Sequence, residues 1–348
     1  MQGLSTVYYN RGELDRGIEL AEQALRIAQQ TGEATHLIPA HGLMVDTLFL
    51  QGKFAISLEH CERMIALYDP SLHRGLALGI GDADQGAIAR CSAAWNLWPL
   101  GHPDRALARA EEATGLARRV AHPFSLAFAL FCEALVHWWR GDLESQRELA
   151  EQTIALSEAH GFPLWLGGGH ALRAAALVLA GDDATVITEI SAGLALADAT
   201  GSQVGAPMFV ALLAQAHQAA GRHSDALATA EAALAVSAQT GQHFWDAELH
   251  RLRAELLLAS GALGEAEGER LLRRASEIAQ AQEAKSLELR AAASLGRLLG
   301  AQGRRAEARA VLAPVYGWFT EGFDTRDLVE AKALLEELAT SPAPTSSR

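Results

Sequence analysis

Apolar and polar positions fall along this chain in long amphipathic runs, and a glycine closes nearly every run. The stretch "AHQAAGRHSDALATAEAALAVSAQTG", Ala216 to Gly241, shows the middle of one unit: a helix end, a glycine turn, a second helix and another glycine turn. Glycines follow helical stretches at Gly12, Gly52, Gly101, Gly141, Gly181, Gly221, Gly261 and Gly303, at intervals of 40, 49, 40, 40, 40, 40 and 42 residues. Twenty residues after four of these, a second glycine closes the next helix, at Gly32, Gly161, Gly201 and Gly241. Such glycines sit where a helix C-terminus favours the left-handed conformation. The pattern predicts alternating helices of about 18 residues, each about 27 Å long.

Small residues recur inside the unit. Five and twelve residues after the turn glycine come Ala226 and Ala233, Ala106 and Ala113, Gly17 and Ala24. Seven before it come Ala214, Ala254, Ala174, Ala134, Ala94, Ser5 and Gly296. Small residues at these places let paired helices approach closely. The arrangement resembles the tetratricopeptide repeat, lengthened from its usual form of about 34 residues. A period near 40 also fits HEAT repeats, but the Gly/Ala positions favour the tetratricopeptide reading. Val45, Gln146 and Val186 fall at small-residue sites, so some repeats are degenerate. The expected fold is all-α: a right-handed α-solenoid of about eight tetratricopeptide-like hairpins, one superhelical domain over residues 1–340. The interval of 49 marks an inserted loop, residues 69–86, whose Pro and Gly break the helical pattern. Segment 316–339 reads as a turn and a capping helix from about Asp324 to Leu338, and the polar tail 341–348 reads as disordered. Only about eleven residues precede Gly12, so the chain reads as cut from something longer.

Composition narrows the function. Half the residues are apolar (49%) but only 6% are aromatic, and Ala is abundant, which favours helix over strand. A net charge of −13 argues against a nucleic-acid partner and against an anionic membrane surface. No apolar run approaches the roughly 18 residues that span a bilayer, and the first residues lack a signal peptide's apolar core. Cys61, Cys91 and Cys132 lie far apart, which suits a reduced, cytoplasmic setting better than a disulfide framework.

Five segments carry a more specific resemblance: "LWPLGHPDRALARAEEA" (Leu97–Ala113), "HPFSLAFALFCEALVH" (His122–His137), "HGFPLWL" (His160–Leu166), "WDAELHRLRAELLL" (Trp245–Leu258) and "KSLELRAAASLGRLL…YGWFTEGFDTRDLVEAKALLEEL" (Lys285–Leu338). They resemble the C-terminal tetratricopeptide region of large bacterial adenylate/guanylate cyclase proteins that carry an AAA/STAND-type ATPase. The resemblance covers nearly the whole chain, and its last segment is the most specific. In that family a cyclase domain comes first, an ATPase follows and the helical region ends the chain. The resemblance implies a non-catalytic sensor or scaffold arm that binds a protein or peptide, its own ATPase/cyclase domains included. Two alternatives stand beside it: part of an active cyclase or ATPase whose catalytic domains are missing here, and the arm of a transcriptional regulator.

No catalytic, cofactor-binding or metal-ligating residue is expected. "GKFAIS" at Gly52 lacks the upstream glycine and the Ser/Thr of a phosphate loop, and "GIGDADQG" (Gly79–Gly86) lacks both dinucleotide and EF-hand spacing. None of the 13 histidines forms an HExxH pair. Aromatics are more informative. Counting from the turn glycines, Trp95, Trp98, Phe128, Phe131, Trp138 and Trp139 fall on the concave face of repeats three and four, whereas repeat six holds Met208, Ala211, Gln215, Gln218 and Ala219 there. These six rings either line a groove for a partner or fill the core between repeats. Glu133 and Arg173 share one repeat position, eight before their glycines, and are expected to form an inter-repeat ion pair. Arg251 and Glu255 read as a solvated helix face or as polar partner contacts.

Overall fold

The computed structural model describes residues 2–73, 83–178, 183–262 and 264–340, and no strand occurs among them. The first two hairpins are α1 (Gln2–Asn10) with α2 (Leu14–Thr31) and α3 (Ala34–Leu50) with α4 (Phe54–Leu67). A short helix, α5 (Pro70–His73), follows. Then come α6 (Gln85–Leu97) with α7 (Pro103–Val120), α8 (Pro123–Arg140) with α9 (Leu143–His160), and α10 (Pro163–Val178) with α11 (Asp183–Asp198). The last three hairpins are α12 (Ala206–Ala219) with α13 (His223–Thr240), α14 (Asp246–Ala259) with α15 (Glu265–Ala281), and α16 (Lys285–Ala301) with α17 (Arg305–Tyr316), and α18 (Arg326–Ala339) ends the array. The expected turn at Gly181, the middle of the inserted segment (74–82) and the tail 341–348 lie outside the described residues. The inserted segment is not all loop: it holds α5, and Asp84 at its end caps α6 by accepting from Ala87 N–H at 3.0 Å.

The first helix of each hairpin packs on its own partner and, except between α12 and α14, on the first helix of the next hairpin, as α6 does on α7 and α8, and α14 on α15 and α16. Covered on several sides, inner helices such as α8, α10 and α12 are apolar over most of their surface, whereas α14 and α16 also carry charged residues. Small residues mark where helices cross closely: Ala94, Ala106, Ala113, Ala134, Ala174, Ala214, Ala226, Ala233 and Ala254 are all completely buried. The degenerate site Gln146 is buried too, and its amide donates to the Leu172 carbonyl at 2.6 Å, so the larger polar side chain is accommodated by a hydrogen bond.

Winding brings distant hairpins together. The turn edges of hairpins one to four rest on the links that follow hairpins five to eight. Gln203 N–H donates to Asn10 O at 2.9 Å, and Ser286 donates its N–H to Pro99 O and its hydroxyl to Trp98 O. Glu321 Oε1 accepts from the N–H groups of Asp104 and Arg105, both at 3.0 Å. A carboxylate from the far end of the chain thus satisfies the orphan donors at the N-terminus of α7. Edge-to-edge contact of this kind closes the superhelix onto itself and leaves its interior as the place where inner faces meet.

Candidate functional site

The six aromatic residues are brought together, but most of their surface is covered by the chain itself. Trp98 and Trp139 stack at 4.8 Å between ring centroids, 25° apart, and each is 2% exposed. A single turn of 3-10 helix, His243–Trp245, opens hairpin seven, and its Trp245 stacks on Trp98, Trp138 and Trp139 at 6.1, 6.4 and 6.0 Å. Trp95 meets Phe128 and Phe131 edge-on, at 5.5 and 6.4 Å, and Phe244 lies against Phe49 of α3 at 5.2 Å. Four of the six, Trp98, Phe128, Phe131 and Trp139, are buried as core, and Trp95 and Trp138 are half-buried against it. The physical reason is the winding: the start of hairpin seven sits over the inner face of hairpins two to four, which no single repeat reveals. Trp138 also borders the larger open space described below.

The expected Glu133–Arg173 pair does not form. Arg173 turns to its own hairpin, where its guanidinium donates to Glu189 of α11, which also meets His170 Nδ1 at 3.1 Å. Glu133 Oε2 is buried without a hydrogen-bond partner. Equal repeat position places two Cα atoms side by side, but a carboxylate one turn away on the packed partner helix is closer to a long Arg side chain. Elsewhere, His41 and His60 face each other Nδ1 to Nδ1 at 2.7 Å. Burial, then the charges of His60 and Arg63, hold His41 down at about 4, so it is neutral at neutral pH. Among the described residues no three His, Cys, Asp or Glu side chains converge as metal ligands.

Open space lies further along the interior. The inner helices α8, α10, α12, α14, α16 and α18 ring a cavity of about 340 Å³, at the small end of ligand-sized pockets. One wall is apolar: Trp138, Ala175, Val178 and Leu212, with Ala219 and the amides of Gln215 and Gln218 beside them. The other is charged: Glu248 and Arg251 from α14, Arg290 and Arg297 from α16, and Arg326, Asp327 and Glu330 from α18.

At the foot of the charged wall Glu248 is 2% exposed. Burial by itself would raise its pKa, but Arg251, doubly hydrogen-bonded to it at 2.8 Å, and Arg290 behind hold it down at about 2. Arg251 also meets Glu255 at 2.6 Å and the Ser294 hydroxyl. Arg290 donates to Asp327 at 2.7 Å, and its guanidinium lies 4.8 Å from the Trp98 ring centroid. Every member of this buried network has a partner, which fixes α14, α16 and α18 relative to one another. Arg251 stands ten residues before its turn glycine, where Phe131 and Ala211 stand in their own repeats. A charge at an otherwise apolar inner place was the sequence signal for this wall, and reading Arg251 and Glu255 as a solvated face missed it.

A tetratricopeptide-repeat family matches residues 1–31. An uncharacterized protein of Rhizobium meliloti (strain 1021) is 27% identical over 234 residues, which are 67% of this chain and 23% of that protein. The chain therefore spans about a quarter of the length of the curated relative it matches. Two solved structures share the fold. A Rap protein complexed with Competence and Sporulation Factor aligns with a TM-score of 0.60 at 11% identity, over 97% of this chain and 96% of that one. The apo form of RapI aligns with a TM-score of 0.53 at 10% identity, over 84% and 99%. The chain is thus a tetratricopeptide-like α-solenoid. Among the described residues no helix is long and apolar enough to cross a membrane.

Proposed function

We propose that this array is a non-catalytic, protein-binding regulatory module whose inner cavity receives a segment of a partner protein. One observation carries the reading: six inner helices from five hairpins and α18 surround one open space with an apolar and a charged wall. A segment seated there touches every one of those helices, so its binding free energy bears directly on how tightly the superhelix is wound. Of the six aromatic residues singled out in the sequence, Trp138 lines that space, and the other five are not among its lining residues. Display of random heptapeptides against the purified chain tests the reading. Enrichment of a sequence class that is lost in Ala219→Trp, which fills the cavity, supports it; enrichment that survives the filled cavity, or none at all, sinks it.

The resemblance of five segments to cyclase-ATPase proteins gives the module its context: an arm whose occupancy tunes an ATPase and, through it, a cyclase. The match to part of a much longer relative is consistent with such an arm. Reading the gene in frame upstream of the Met1 codon decides this. A phosphate-loop ATPase encoded there supports the arm, and a stop codon directly upstream overturns it.

A further inference from the structure

The charged wall is uneven in how its arginines are matched. Arg251 is held by Glu248 and Glu255, Arg290 by Asp327, and Arg297 by Glu330 at 2.8 Å. Arg326 has no carboxylate of its own. Its nearest are Asp327 and Glu330, each at 3.9 Å and each already hydrogen-bonded to another arginine. At that separation Arg326 makes no hydrogen bond to them, and its five N–H donors stay available. The stem of Arg326 is fixed, because its Cβ packs where hairpin four turns at Gly141. Arg326 lines the cavity together with Val178, Leu212, Gln215 and Gln218.

We infer that the cavity recognises a peptide through a carboxylate bound by Arg326, with an adjacent apolar side chain against Val178 and Leu212. This rests on the peptide-binding reading above and names the chemistry of the ligand. The four arginines of the wall stand against four carboxylates, Glu248, Glu255, Asp327 and Glu330, so the wall is balanced in charge as a whole, and an anionic ligand finds hydrogen-bond donors not already taken up by a carboxylate at Arg326. A planar guanidinium donates two parallel hydrogen bonds to a carboxylate, which Lys does not reproduce. Gln215 and Gln218 lie where a peptide's backbone N–H and C=O groups would pass. Both a chain's C-terminal carboxylate and an Asp or Glu side chain present the required group.

Three pools of fluorescein-labelled random hexapeptides with a leucine at the last position separate these cases. One pool ends in a free carboxylate, one in an amide, and one in an amide with glutamate at position five. Affinities are read by fluorescence polarisation against the wild-type chain, Arg326→Gln and Arg326→Lys, with melting curves confirming that each variant is folded. The expected result is at least about tenfold tighter binding of one acidic pool than of the neutral amide pool. That preference should vanish in Arg326→Gln and recover only partly in Arg326→Lys. Which acidic pool prevails tells a terminal carboxylate from a side-chain one. Equal binding of all three pools, or a preference untouched in Arg326→Gln, overturns the inference and leaves peptide binding standing. Binding of no pool overturns both.

Discussion

Arg140, at the end of α8, lies 3.2 Å from Asp324, although 184 residues separate them in sequence. The same guanidinium donates to Asp104 at 2.7 Å, and Asp104 in turn accepts from the Gly322 N–H at 2.9 Å. These contacts join one turn of the superhelix to the next.

Arg140→Ala should therefore loosen the closure more than it unfolds the chain. Both aspartates are at least half exposed, so the expected stability loss is about 1 kcal/mol. Amide exchange at Gly322 should accelerate well beyond that of the outer helices. Unchanged protection at Gly322 would show that the clasp does not hold the turns together.

Trp139→Ala removes a ring that stacks on both Trp98 and Trp245 and should cost about 3–5 kcal/mol. Trp138→Ala, at the cavity wall, should cost distinctly less. Urea midpoints of the two variants test the division between core and cavity lining, and equal losses would contradict it.

The pH dependence of stability should carry two opposed contributions. Glu248 is held at about 2, below its ordinary 4.5, so the stability it contributes is present above about 4.5 and is lost as pH falls through 2. Burial raises Asp46 from 3.8 to about 7, so its contribution is complete below 3.8 and is lost as pH rises through 7. Asp46→Asn should then abolish the decline between about pH 4 and 7. Glu248→Gln leaves Arg251 short of a buried counter-charge and should cost about 3–5 kcal/mol at neutral pH. A urea series from pH 3 to 9 reads both, and an undiminished decline up to pH 7 in Asp46→Asn would refute the assignment.

Two turn glycines in the same motif position should respond differently to alanine. Gly221 has φ 71° and nothing within 4 Å of an added Cβ, so Gly221→Ala should cost about 1 kcal/mol of left-handed strain. At Gly141, with φ 85°, a Cβ would stand 2.6 Å from the Cβ of Arg326, so Gly141→Ala should cost substantially more. Comparable melting shifts for the pair would mean that hairpin four does not dock on α18.

Glu189→Ala should destabilise the chain through Arg173, whereas Glu133→Gln should change stability by less than about 1 kcal/mol, since Glu133 Oε2 has no partner to lose. The reverse order in thermal unfolding would restore the inter-repeat pair.

Much of the architecture was legible in one dimension because it is set locally. Glycine spacing located the hairpin turns, since a left-handed C-cap is a property of one residue and its helix. Alanines at fixed offsets located the close helix crossings, because a crossing excludes bulk wherever the repeat brings two backbones together. Even the final helix, read from about Asp324 to Leu338, lies at Arg326–Ala339. What the repeat pattern could not carry was the winding. How far each hairpin rotates on the last is decided by many small packing differences summed over eight units. Only that sum determines that Trp245 covers Trp98 and Trp139, that Arg140 reaches Asp324, and that Arg326 turns toward the cavity. A residue's repeat position tells which helix face it occupies; whether that face meets solvent, a ligand or the chain's own next turn is decided in three dimensions.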